Sequence, residues 1–123
     1  MQDFKKLKVW QRSHALVLNI HKLTKLFPPE ERYDLVPQLR RAAKSVPTNI
    51  AEGCKRESQL EFARFLNIAE ASLSETEYHI LLSHDLDYLP KEKFEALANE
   101  IDQISRMLSG LRKRIKKDAK LDS

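Results

Sequence analysis

Glycine is nearly absent from this 123-residue chain, with only Gly53 and Gly110 present. That scarcity excludes phosphate-cradling loops of the Walker or dinucleotide type, which need several glycines within a few positions. Cysteine is scarcer still, and a lone Cys54 excludes an intramolecular disulfide framework. Long apolar runs are missing: Ala15 to Leu18 is typical, against the roughly 20 residues a membrane span needs, so no membrane insertion is expected. The opening stretch MQDFKKLKVWQRSH also lacks the apolar centre of a signal peptide, which makes the cytoplasm the default compartment. What remains is 41% hydrophobic and 33% charged, the balance of a soluble, helix-rich protein, and the length suits one domain.

Apolar spacing divides the chain into four helices. Val9, Leu16, Ile20, Leu23 and Phe27 keep helical spacing from about Leu7, until the two prolines of FPPEERYD stop the run near Phe27. Asp34 is a suitable N-cap for a second helix, with Pro37 tolerable in its first turn and Gly53 placed as a C-terminal stop. Pro47 falls in its interior, where a proline costs roughly 3 kcal/mol, so a kink is expected between the Leu39, Ala42, Ala43, Val46 face and Ile50. Ser58 with Glu61 three residues on forms a capping-box pattern for a third helix, whose inner stripe is Phe62, Phe65, Leu66, Ala69, Leu73, Thr76 and Ile80. After DYLP, the positions Phe94, Leu97, Ile101, Ile104, Leu108, Leu111 and Ile115 alternate steps of three and four. The expected helices therefore span about 7–27, 34–54, 58–86 and 91–117, and short connections make them an all-α, antiparallel up-down-up-down four-helix bundle.

The third helix carries a second apolar line, Leu60, Ala71, Tyr78 and Leu82, half a turn from its inner stripe. Single exposed apolar residues are ordinary, whereas a helix apolar on two sides points to self-association, most simply a symmetric homo-oligomer.

Charge is segregated along the chain more sharply than the net +4 suggests: residues 1–56 and 103–123 are basic, and 57–102 are acidic. In an antiparallel bundle the start of the first helix lies beside the end of the fourth. Lys5, Lys6, Lys8 and Arg12 would then approach Arg112, Lys113, Arg114, Lys116 and Lys117, a positive end able to bind RNA or DNA through its phosphates. The plainer reading is that cations in last turns complement helix dipoles and stay solvated. No aromatic-interleaved platform for single strands is visible.

Chemistry of other kinds finds little footing. His14 and His21 are seven positions apart and His79 and His84 five, whereas ligands sharing a helical face sit three or four apart, so no metal or other cofactor is expected. Cys54, beside Lys55 and Arg56 at a helix end, reads as a buried structural thiol. Glu52, Glu70, Glu75 and Glu77 are the carboxylates available for acid or base work, but such groups on helical proteins are mostly solvated or paired, and no enzyme is expected.

The runs YDLVPQLRRAAKSVPTNIAEG and FARFLNIAEASLSETEYHI, with VWQRSHALVLNIHKLTKLFP before them, resemble the four-helix-bundle family of S23 ribosomal proteins, or 23S rRNA intervening-sequence proteins. The resemblance covers nearly the whole chain. It implies a closed bundle assembling as a homopentamer, without enzymatic activity, and the family is similar to the accessory proteins of diversity-generating retroelements, which associate with nucleic acid. The family-like positions are Gln38, Arg40, Arg41, Ser45, Pro47, Asn49, Ile50, Ala51, Glu52 and Gly53, then Phe65, Leu66, Ala69, Ser72 and Glu75. The chain departs from the pattern at Asp34, where the family tends to glycine, and at Pro37, where it tends to a small polar residue. Past the proline, Asn49 and Glu52 are expected to form a buried polar cluster with Arg40 or Arg41. The function expected is a self-associating scaffold that binds nucleic acid through its basic end; the alternative is a protein–protein adaptor without nucleic-acid binding.

Overall fold

A computed structural model describes residues 3–122, and among them there are helices and turns but no strand. Four helices follow one another: α1 (Lys8–Thr24), α2 (Leu35–Cys54), α3 (Gln59–Asp85) and α4 (Lys91–Asp122). A 3-10 turn, Phe4–Lys6, precedes α1, and a second, Pro29–Glu31, lies between α1 and α2. Each helix packs on its neighbours in sequence and α1 closes the ring against α4, giving the expected bundle. No helix among the described residues is long and apolar enough to cross a membrane.

Leu39, Ala43, Val46 and Ile50 of α2, Leu66 and Ala69 of α3, and Ile104 and Leu108 of α4 are fully buried at the centre. Val9, Leu16, Val17 and Ile20 close the fourth wall. The fourth helix's periodic positions Leu97, Ile101, Ile104, Leu108 and Ile115 are all buried, while Phe94 and Leu111 pack half-exposed on the rim. Ser58 caps α3 by accepting from the Glu61 amide at 3.0 Å.

Four local expectations are corrected. α1 ends at Thr24 rather than Phe27, because Pro28 and Pro29 offer no N–H donors to the last carbonyls; Leu26 and Phe27 instead donate to Leu23 and Thr24 in tight turns. α4 runs on to Asp122, past the expected stop near 117, since nothing in its last turns breaks a helix. Asp34 sits at the N-cap of α2, yet its side chain makes no capping bond and accepts from Gln38 Nε2 at 2.8 Å. Gly53 is not a stop: it lies inside α2, buried, with no positive φ, and a Cβ there would stand 2.8 Å from Phe62 Cδ1 and 2.9 Å from Phe65 Cβ. The missing side chain lets α2 and α3 approach. α2 itself stays continuous through buried Pro47, which removes the donor for the Ala43 carbonyl.

The turn from α3 to α4 is a Schellman motif, with the Tyr88 amide donating to Ser83 O and the Asp87 amide to His84 O, each at 2.9 Å. Asp87 occupies the left-handed position at φ 67°, where a side chain is strained. Asp87→Gly is therefore expected to stabilise the protein by about 1 kcal/mol in urea unfolding. The Tyr88 hydroxyl ties this turn to the Pro29–Glu31 turn by donating to Glu31 Oε2 at 2.7 Å, a bond that pushes its pKa up to about 12.

Candidate nucleic-acid interface

The antiparallel arrangement brings the start of α1 beside the second half of α4. Lys8 and Val9 line a groove with Arg106, Met107, Gly110 and Arg114. Lys5, Lys6 and Lys8 are exposed, and so are Lys113, Arg114, Lys116 and Lys117 on α4. A second groove of about 390 Å³ runs between α3 and α4, where Arg64, Asn67, Arg112 and Lys116 line it.

Two of the expected cations are already committed. Arg12 grips Glu100 with both arms of its guanidinium, Nε to Oε1 at 2.9 Å and Nη2 to Oε2 at 2.8 Å, and also reaches Gln103 Oε1. This fork fastens α1 to α4, and the hydrogen bond to Glu100 raises the Arg12 pKa further. Arg112 donates from Nε to Glu70 Oε1 at 2.9 Å, joining α4 to α3 with both side chains largely covered, 22% and 21% exposed. Neither arginine is a free phosphate ligand. The physical reason is the acidic middle of the chain, which folds back to place Glu70 and Glu100 against them.

Other cations at this end escape the sequence reading. Lys55 and Arg56 follow α2, Arg64 lies in the second turn of α3, and the antiparallel order puts all three at the same end of the bundle as the start of α1. Lys55 Nζ lies 5.8 Å from the Phe4 ring centre and the Arg56 guanidinium 4.7 Å from that of Phe65. Topology could have found them, because in such a bundle the end of α2 and the start of α3 fall on the same side as the start of α1 and the end of α4. Glu57, Glu61 and Asp118 are exposed acids near the same end.

The expected polar cluster does not form. Arg40 donates to Thr24 Oγ1 at 2.9 Å and to the His21 carbonyl at 3.1 Å, both on α1. Asn49 instead turns back to Ser45, its amide donating to the Ser45 carbonyl at 2.8 Å and to the hydroxyl at 3.0 Å. Ser45 shares a hydrogen bond with Ser72 at 2.7 Å, bridging α2 to α3. Arg41 and Glu52 are exposed, since the helical turn carries them to the solvent side of α2. One helix periodicity separates the four residues the cluster required to converge.

On α3, Leu60 and Tyr78 are each 58% exposed and Ala71 is exposed between them. Leu82 is a correction: it packs half-buried against the core. Ile68 and Leu81, not singled out by spacing, extend the exposed apolar surface. His79 is buried, with Nε2 3.4 Å from Glu75 Oε2. Burial, and secondarily Asp3, pushes the Cys54 thiol up. Among the described residues no group of three or more His, Cys, Asp or Glu is placed to hold a metal ion.

Residues 5–110 match the family described as 23S rRNA-intervening sequence protein. The chain belongs to that family. Among solved structures it is similar to a protein with unknown function from the S23 ribosomal protein family of Bacteroides thetaiotaomicron, with a TM-score of 0.79 and 28% identity. That likeness covers 85% of this chain and 98% of the other. No curated protein matches the chain. The family match ends at Gly110, so Arg112 and the cations that follow it on α4 lie outside the matched span.

Proposed function

We propose that the protein is a non-enzymatic cytoplasmic scaffold that self-associates, as a homopentamer, and holds RNA or DNA by the phosphate backbone at its basic end. The observation that carries the reading is the groove in which Lys8 of α1 and Arg114 of α4 stand together, with Lys5 and Lys6 exposed in the turn before α1 and Lys113, Lys116 and Lys117 exposed on α4. Lys113, Arg114, Lys116 and Lys117 fall short of the last turn of α4, where the dipole favours a cation, and Lys8 opens α1 at the positive end of its dipole, an arrangement disfavoured by about 0.3–1 kcal/mol. Dipole complementarity therefore does not account for them, and an anionic partner does. Protein stripped of nucleic acid by nuclease and high salt is expected to bind RNA with an affinity that falls steeply as salt rises. Absent binding at low salt, or binding indifferent to salt, overturns the reading.

Self-association rests on Leu60, Ile68, Tyr78 and Leu81, which leave α3 apolar on its solvent side as well as its core side. Light scattering is expected to give a mass near five times 14.4 kDa, falling in Tyr78→Glu; a monomeric wild type sinks the assembly. The alternative, an adaptor for another protein without nucleic-acid binding, draws on the apolar groove along Tyr78, Leu81 and Phe94.

A further inference from the structure

A second basic concavity, of about 260 Å³, lies where α1 gives way to α2, at the end opposite the one described above. Lys25, Arg32 and Arg40 line it, together with Phe27, Pro28 and Val36, and no carboxylate does. Along α1, Lys8 and Lys25 are about 25 Å apart at 1.5 Å per residue, so this is a separate place and the inference stands apart from the reading of the basic end.

Arg40 is the anomaly. It is partly buried, and both its acceptors are neutral: Thr24 Oγ1 and the His21 carbonyl. Thr24 donates its own proton to the Ile20 carbonyl at 2.7 Å, which fixes its oxygen as an acceptor for Arg40. The other partly buried arginines that bridge helices, Arg12 and Arg112, each hold a glutamate, whereas no carboxylate among the described residues pairs with Arg40. A partly buried charge without a counter-ion is the unfavourable half of an ion pair. Two hydrogen bonds lock the guanidinium plane and leave three of its five N–H donors for another acceptor. Lys25 and Arg32, both exposed, stand in the same wall.

We propose that this concavity binds a phosphomonoester, with Arg40 as its fixed anchor, Lys25 and Arg32 closing on the remaining phosphate oxygens, and the Phe27, Pro28 and Val36 wall beside the esterified carbon. Three cations with no acid exceed what one carboxylate balances and suit a phosphate dianion. The volume and the apolar wall leave room for a group attached to it. The phosphate comes from a free nucleotide or from the end of a nucleic-acid strand.

His21 is a reporter already in place. Its pKa is lowered by burial and then by the positive charges of Arg40, Lys44 and Lys25. An anion seated among them lifts it again. The experiment follows the His21 ring by NMR while inorganic phosphate, adenosine 5′-monophosphate, acetate and chloride are added at constant ionic strength. Phosphate and the nucleotide are expected to act saturably, the nucleotide more tightly, and to raise the His21 pKa. Lys25→Gln with Arg32→Gln, both on the surface, is expected to weaken binding about tenfold or more while the bundle's amide spectrum is kept. A phosphate effect no larger than that of acetate or chloride overturns the site, as does binding undiminished in the double variant. A nucleotide no tighter than inorganic phosphate overturns the ester assignment. A 5′-phosphorylated oligoribonucleotide that binds better than its 5′-hydroxyl form assigns the source to a strand end, and equal binding assigns it to free nucleotide.

Discussion

Replacing Lys113, Arg114, Lys116 and Lys117 together with Glu is expected to remove RNA binding at physiological salt. These four are exposed and make no ion pair among the described residues, so each is free to displace a counterion from a phosphate. With a slope of about −0.7 per phosphate on single strands, losing four contacts lowers the dependence of log affinity on log salt by about 3. Arg112 is left in place because Glu70 already holds it, and its loss would strand a carboxylate between α3 and α4. Lys91→Glu with Lys93→Glu, at the other end of the bundle, serves as the control and leaves binding unchanged. An unaltered salt slope in the fourfold variant, with the helix content intact, places RNA elsewhere.

Gly53→Ala is expected to cost about 1–3 kcal/mol, even though removing a glycine from a helix ordinarily gains about 0.5–1 kcal/mol. The new methyl would meet Phe65 Cβ at 2.9 Å, an atom attached directly to the α3 backbone that cannot swing aside. Phe62 Cδ1 at 2.8 Å is also hemmed in, because that ring is buried. α2 and α3 must separate, and this is the most extensive helix pair in the bundle. Gly110→Ala supplies the opposite sign: nothing lies within 4 Å of its Cβ position, so the helix gain of about 0.5–1 kcal/mol appears undiminished. For a chain of this size each kcal/mol moves Tm by about 3–6 °C, so thermal unfolding separates the two variants clearly. A Gly53→Ala protein as stable as wild type would mean that the close approach has slack.

Periodicity made the bundle legible because burial imposes it: Leu97, Ile101, Ile104 and Leu108 repeat at helical spacing for the reason that one face of α4 meets the core. Ser58 was legible as a cap since its chemistry acts three residues away. What could not be read are pairings across the bundle. Arg12 finds Glu100 and Gln103, some ninety residues on, and Arg40 finds Thr24 rather than Asn49. Spacing says which face a residue occupies, not which helix it will face or at what height. Gly53 illustrates a further blind spot: a glycine near a helix end reads as a stop, while its purpose is set by two phenylalanines on the next helix. Of the basic end, the exposed lysines were legible from charge alone, but Arg64 was hidden within a stretch whose sum is acidic.

The ring of helix neighbours also bears on how the chain finds its fold. α2 against α3 and α3 against α4 are hairpins whose partners are joined by a few residues, so their contacts form at little loop-closure cost. The α1–α4 seam joins the two ends of the sequence and is the sparsest of the four, held by the Arg12 fork. Folding therefore has one long loop to close, at the end of an otherwise local assembly, and the same seam is the first to part when the native protein breathes.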